Sequence, residues 1–85
     1  MTEERNLLAY LSKSYPLGVR VLPDGSFAAL YDLLYTRAIL LGCDRYGYAR
    51  RFCFEDRALA SRRFEELHSE DDEPQGYTDK RPETP

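Results

Sequence analysis

The stretch Leu33–Leu67 reads LLYTRAILLGCDRYGYARRFCFEDRALASRRFEEL, and its reading decides the fold. An apolar run, Leu33 to Leu41, meets a turn, Gly42 to Gly47. An aromatic, basic run follows, Tyr48 to Phe54, and then a helical pattern, Arg57 to Leu67. The order is strand, hairpin loop, strand, helix. Phe27 to Leu41 is apolar on both faces, which fits a helix and a central strand alike, and Tyr35 to Leu41 reads as extended because the turn at Gly42-Cys43-Asp44 and Tyr46-Gly47-Tyr48 joins it to the next run. In the next run, alternation places Tyr48, Arg50, Phe52 and Phe54 on one face and Ala49, Arg51 and Cys53 on the other. Asp56 is placed to cap the helix, whose apolar stripe is Leu59, Ala60, Phe64 and Leu67.

Upstream, Thr2 to Ser14 has the pattern of a short amphipathic helix. Thr2 caps it, Glu3 and Glu4 suit its positive start, and Leu7, Leu8 and Leu11 share one face. Tyr15-Pro16 ends it. Gly18 to Leu22 reads as a strand, and Pro23-Asp24-Gly25 as a turn. Phe27 to Leu34 fits a strand and a short helix equally. The whole predicts an α+β fold: a small antiparallel sheet of three or four strands, with an N-terminal helix and a C-terminal helix packed on it. After Leu67 the only large apolar residue is Tyr77. The domain is therefore expected over residues 1–69, with 70–85 as an acidic, flexible tail.

The 85 residues make one domain with little room for a deep pocket. No apolar run has transmembrane length, and the N-terminus lacks the pattern of a secretory signal, so a cytoplasmic location is expected. The predicted hairpin sets Cys43 near Ala49 or Arg50, away from Cys53; two partly buried thiols are expected, not a disulfide.

Charge is distributed unevenly. Residues 45–64 hold Arg45, Arg50, Arg51, Arg57, Arg62 and Arg63 against Glu55 and Asp56, a net of +4. Residues 65–85 carry eight acids against Lys80 and Arg81, a net of −6. One reading of the first segment is nucleic-acid contact through Arg45, Arg50, Arg51, Arg57, Arg62 and Arg63, with Tyr46, Tyr48 and Phe52 stacking on bases. The isoelectric point of about 5.1 is far below that of a typical basic nucleic-acid domain. The second segment reads as a partner-binding surface. There Glu65, Glu66, Glu70, Asp71, Asp72 and Glu73 take the place of phosphates in a basic groove, with Tyr31, Tyr46 and Tyr48 as aromatic anchors.

His68 is the only histidine and sits near a helix end. Glu65/Glu66 and Asp71/Asp72 are adjacent in sequence, not opposed across a cleft. Gly42 and Gly47 are hairpin glycines, not a phosphate loop. No catalytic residues, no metal ligands and no cofactor are predicted, and the expected activity is binding, not catalysis.

The motifs Leu33 to Thr36, Gly47 to Phe54, Asp56 to Leu67 and Pro74 to Tyr77 together resemble a group of short phage and prophage proteins of proteobacteria. These share an LLFT-like run, a G-Y-x-x-R-aromatic-C-aromatic strand, a helix, and an acidic P-x-G-aromatic ending. The resemblance covers about half of the chain. This chain has Phe52 and Tyr77 where tryptophan is common in the group, so the resemblance implies weaker tail contacts here. By analogy with anti-CRISPR proteins, it implies an inhibitor of a host defence complex in the bacterial cytoplasm. The expected partner is a host protein or ribonucleoprotein, with a CRISPR effector as the model case. The alternative is a small nucleic-acid-binding accessory protein that uses the arginine-rich hairpin and helix; a membrane is not expected to be a partner.

Overall fold

The structure, a computed structural model, describes residues 2–82, with side chains described over residues 6–78. The capping roles expected of Thr2, Glu3 and Glu4 lie outside the described side chains. Helix α1 (Thr2–Ser14) is followed by strands β1 (Gly18–Val21), β2 (Phe27–Asp32), β3 (Arg37–Leu41) and β4 (Arg50–Phe54). Helix α2 (Arg57–Glu65) and strand β5 (Asp79–Pro82) complete the order. The sheet runs β1-β2-β3-β4-β5, every neighbour antiparallel. This is the expected α+β fold, with one helix on each face of one antiparallel sheet; the sheet has five strands where three or four were expected, β5 being the addition.

The undecided segment Phe27 to Leu34 resolves as strand, then turn. β2 is paired on both sides, Ala29 facing Val19 of β1 and Leu40 of β3. Its alanines let both faces be covered closely. The chain then reverses through Leu33–Thr36, where the Leu33 N–H donates to the Thr36 carbonyl at 2.8 Å. Tyr35, expected in the strand, lies in this turn, and β3 starts at Arg37.

Two buried clusters show why the central strands are apolar on both faces. Leu30, Ile39, Leu41, Phe52 and Phe54 meet Ala60, Phe64 and Leu67 from the α2 side. Phe27, Ala29, Ala38, Leu40, Cys43 and Cys53 meet Leu11 of α1, with Leu7 and Leu8 packed against them. Asp56 caps α2 as expected, its carboxylate accepting from the Leu59 N–H at 3.0 Å. The helix stops at Glu65 instead of Leu67 because its last turn tightens. There Glu66 N–H donates to Arg63 O (3.1 Å) and Leu67 N–H to Phe64 O (3.4 Å), three-residue steps that still bury Leu67.

Two expectations need correction. First, the folded body does not stop at Ser69. Pro74 is buried, Tyr77 meets Phe52 edge-to-face at 5.1 Å, and Asp79–Pro82 pairs with β4. Charge did not loosen this segment because its backbone is held by side chains from the body, as described below. Residues 83–85 of the expected tail lie outside the described residues. Second, Tyr48 does not share a face with Arg50, Phe52 and Phe54. It packs with the α1-side cluster, since strand pairing begins only at Arg50 and the chain bends at Ala49.

The helices cover their faces unequally. The backbone of α2 lies across β2, β3 and β4, whereas α1 approaches β1. The β3–β4 part of the α1 face is left for side chains alone to cover.

Candidate functional site

The acidic stretch is a shaped loop. Arg50 donates one guanidinium N–H2 to the carbonyls of Glu70 and Asp72, the latter at 3.0 Å. Arg63 donates to the Gln75 carbonyl at 3.1 Å, and Asp24 accepts the Glu70 N–H at 2.9 Å. Asp72 turns inward, its Oδ2 accepting from the backbone N–H groups of His68 (2.7 Å) and Ser69 (3.2 Å). Asp24 gathers the Ser26 hydroxyl at 2.6 Å and the N–H groups of Glu70 and Ser26, which pull its carboxyl down to about 2. Two more acids have partners: Glu66 pairs with Arg63 at 2.9 Å, and Glu73 accepts the Tyr77 hydroxyl at 2.6 Å. That bond holds the Tyr77 phenol above its ordinary pKa. Glu65, Glu66, Glu70, Asp71 and Glu73 are all exposed around the loop. Beside them Arg63, Leu67, Asp72 and Pro74 line a shallow cleft.

The six arginines do not form one surface. Arg50 lies over the Phe52 ring on the α2 face, while Arg51 is its neighbour on the opposite face. Arg57 donates to the carbonyls of Leu33 (3.4 Å) and Leu34 (3.2 Å), tying α2 to the β2–β3 turn. Arg45 lies over the Tyr10 ring at 5.5 Å, and Arg62 is exposed on α2. Two arginines outside that set are also structural. Arg20 donates to the Phe64 and Leu67 carbonyls at 2.5 and 3.3 Å, closing the C-terminus of α2. Arg37 bridges Asp32 at 2.7 Å and the Ser61 hydroxyl at 2.8 Å. Sequence reading missed Arg20, whose one signal was a charge in the middle of a short apolar strand.

The three expected aromatic anchors separate. Tyr46 is 92% exposed at the tip of the β3–β4 loop, where Asp44 Oδ1 accepts its N–H at 2.7 Å and that of Gly47 at 3.0 Å. Tyr31 and Tyr48 instead join Tyr15 on the α1 face. Tyr15 and Tyr31 meet edge-to-face at 5.9 Å. Ser14, Tyr15, Tyr31, Leu40, Tyr48 and Arg51 line a cavity of about 380 Å³ there, open on one side. Burial, helped by Cys43 and the neighbouring phenols, raises the Tyr15 pKa. Arg51 Nε is buried at this site without a hydrogen-bond partner. Leu34 and Tyr35, which sequence reading did not single out, are 79% and 81% exposed at the β2–β3 turn.

Cys43 and Cys53 are both free and buried. Burial, with Asp44 adding to it, pushes the Cys43 thiol up to about 12. Among the described residues, no helix is long and apolar enough to cross a membrane, and no three His, Cys, Asp or Glu side chains gather as a metal would need. No family model, curated protein or solved structure matches this chain.

Proposed function

We propose that this chain is a non-enzymatic binding protein that docks its acidic loop on a basic surface of a partner and occludes it. The observation that carries the reading is the fixed course of that loop. Arg50, Arg63, Asp24 and Asp72 hold its backbone, so Glu65, Glu70 and Asp71 are presented from a defined surface. Carboxylates already in place lose less freedom on binding than those of a coil, and they can occupy a field meant for phosphates. The dispersal of the six arginines, three of them bonded to backbone carbonyls, favours this reading over direct nucleic-acid binding.

The sequence resemblance supplies the class of partner: a host defence complex whose groove holds nucleic acid, with a CRISPR effector as the model case. Contact would be finished by exposed aromatic and apolar tips, of which Tyr46 is one.

The test is capture of a complex from nuclease-treated lysate of a bacterial host by the tagged chain, followed by purified binding. Glu65→Gln, Glu70→Gln and Asp71→Asn together remove charge and leave the shape of the loop. The expected result is loss of the partner from the triple variant and competition by a polyanion. Undiminished, salt-insensitive capture by the triple variant would overturn the mechanism.

A further inference from the structure

We infer that the cavity of Tyr15, Tyr31, Tyr48 and Arg51 is a binding site for a small aromatic molecule that carries an oxyanion. Arg51 is the anomaly that points to it. Arg20, Arg37, Arg50, Arg57 and Arg63 all donate hydrogen bonds within the fold. Arg51 donates none among the described residues, although it is half-buried and its Nε is out of contact with water. Its strand partners are Leu40 on β3 and Arg81 on β5, so neither cross-strand neighbour is an acid. The buried Nε is left unsatisfied, while the half-exposed side chain lines the cavity, where an anion would give the guanidinium a partner.

The surroundings fix the chemistry of that anion. Three phenol rings and Leu40 make the walls, and edge-to-face or stacked contacts suit a flat ring between them. Besides Arg51, the donors are hydroxyls: Ser14 and the three tyrosines, none with a hydrogen-bond partner among the described residues. Such a set matches a phosphate or a carboxylate, which only accepts hydrogen bonds. At about 380 Å³ the cavity lies at the small end of ligand sites, which commits the occupant to a small molecule. The backbone of α1 comes close to β1 and covers β3 and β4 through side chains such as Leu11, which leaves the space beside Ser14 and Tyr15 open. The site is separate from the acidic loop, so its failure would not touch the proposed occlusion.

Phenyl phosphate and benzoate are the probes, with inorganic phosphate as the control for charge alone. Titration calorimetry gives affinity, and aromatic-ring NMR shifts locate the site. The expected result is saturable binding of at least one probe, with shifts at Tyr15, Tyr31 and Tyr48. The preferred probe tells phosphate from carboxylate. Arg51→Met should weaken binding by about tenfold or more, the scale of a charge-assisted pair, and Arg51→Lys by less. Without ligand, Arg51→Met should melt at or above the wild-type temperature, since it removes a buried N–H that has no partner. Three results would each overturn the proposal: no saturable binding of either aromatic probe, equal binding by Arg51→Met, or inorganic phosphate binding as tightly as phenyl phosphate.

Discussion

The two faces of the sheet are built from the same strands but are finished differently. On the α2 face the helix lies across three strands, and Arg20, Arg50, Arg57 and Arg63 end on backbone carbonyls. On the α1 face the helix approaches the β1 edge, its leucines and the tyrosines cover what remains, and Arg51 Nε has no hydrogen-bond partner among the described residues. The sequence offers both faces similar apolar strands. The difference comes from where each helix can reach: α2 follows β4 through the two residues Glu55 and Asp56 and folds straight back over the sheet, whereas α1 enters from the edge through Tyr15–Leu17. One face is closed for stability, and the other keeps a site that a ligand can fill.

The largest effect tests the closed face. Phe64 is buried between α2 and the sheet, and its ring stands 3.4 Å from where a Cβ on Gly18 would lie. Phe64→Ala is expected to cost about 3–5 kcal/mol in urea unfolding, enough to unfold much of a domain this size. A loss below about 1 kcal/mol would mean that the α2 face is not the main core.

Two arginine variants then break or sharpen the contrast directly. Arg20→Met removes the donors that end α2, takes the Arg20 bond from the Leu67 carbonyl and leaves the Phe64 carbonyl with only its backbone donors. The expected loss is about 1.5–3 kcal/mol, the range for charged hydrogen bonds at a partly buried site. Arg51→Met, the same chemical change on the other face, should cost nothing. Equal losses for the two would erase the distinction between a structural arginine and one held for a ligand.

Gly42 gives a smaller test at the loop joining the two faces. Its φ is +71°, and an added Cβ would stand 2.8 Å from the Ala49 Cβ and 3.2 Å from the Glu70 carboxyl. Gly42→Ala should lose about 1–2 kcal/mol from the backbone angle alone, and the contact with Glu70 should disturb the acidic loop as well. Thermal melting checks the first part, and amide shifts of Glu70 and Asp71 check the second.

These tests also mark how much was legible beforehand. The sheet, the Asp56 cap and the α2 stripe follow from periodicity and turn chemistry, which act between near neighbours. Asp79–Pro82 could not be read as a strand, because it carries no apolar pattern. It is held by pairing with β4 and by Pro74 and Tyr77 upstream, contacts far apart in sequence. Phe52 and Tyr77 meet each other edge-to-face. That pairing is visible only once the loop is closed. The cavity escaped notice for a related reason. Alternation sent Tyr48 to the wrong face, and six arginines of one charge looked alike until the structure showed what each one meets.

The smallest effects lie at opposite ends of the pH scale and report opposite parts of the molecule. Asp24 fastens the acidic loop to the β1–β2 turn, and its carboxyl sits at about 2 against 3.8 when free. A lowered pKa stabilises the fold above the free value, so this contribution is complete above about pH 4 and disappears as pH falls toward 2. Cys43, beneath the α1 face, is raised from 9.0 to about 12. The sign reverses: its contribution is complete below pH 9 and is lost as pH rises toward 12, because only the unfolded thiol ionises early. Asp24→Asn should therefore flatten the acid limb of the stability profile and leave the alkaline limb unchanged. Cys43→Ala should do the reverse. Chemical denaturation across the pH range reads both limbs. If Asp24→Asn left the acid limb unchanged, the bond to the Glu70 N–H would not be holding the loop, and the fixed acidic surface would lose one of its four supports.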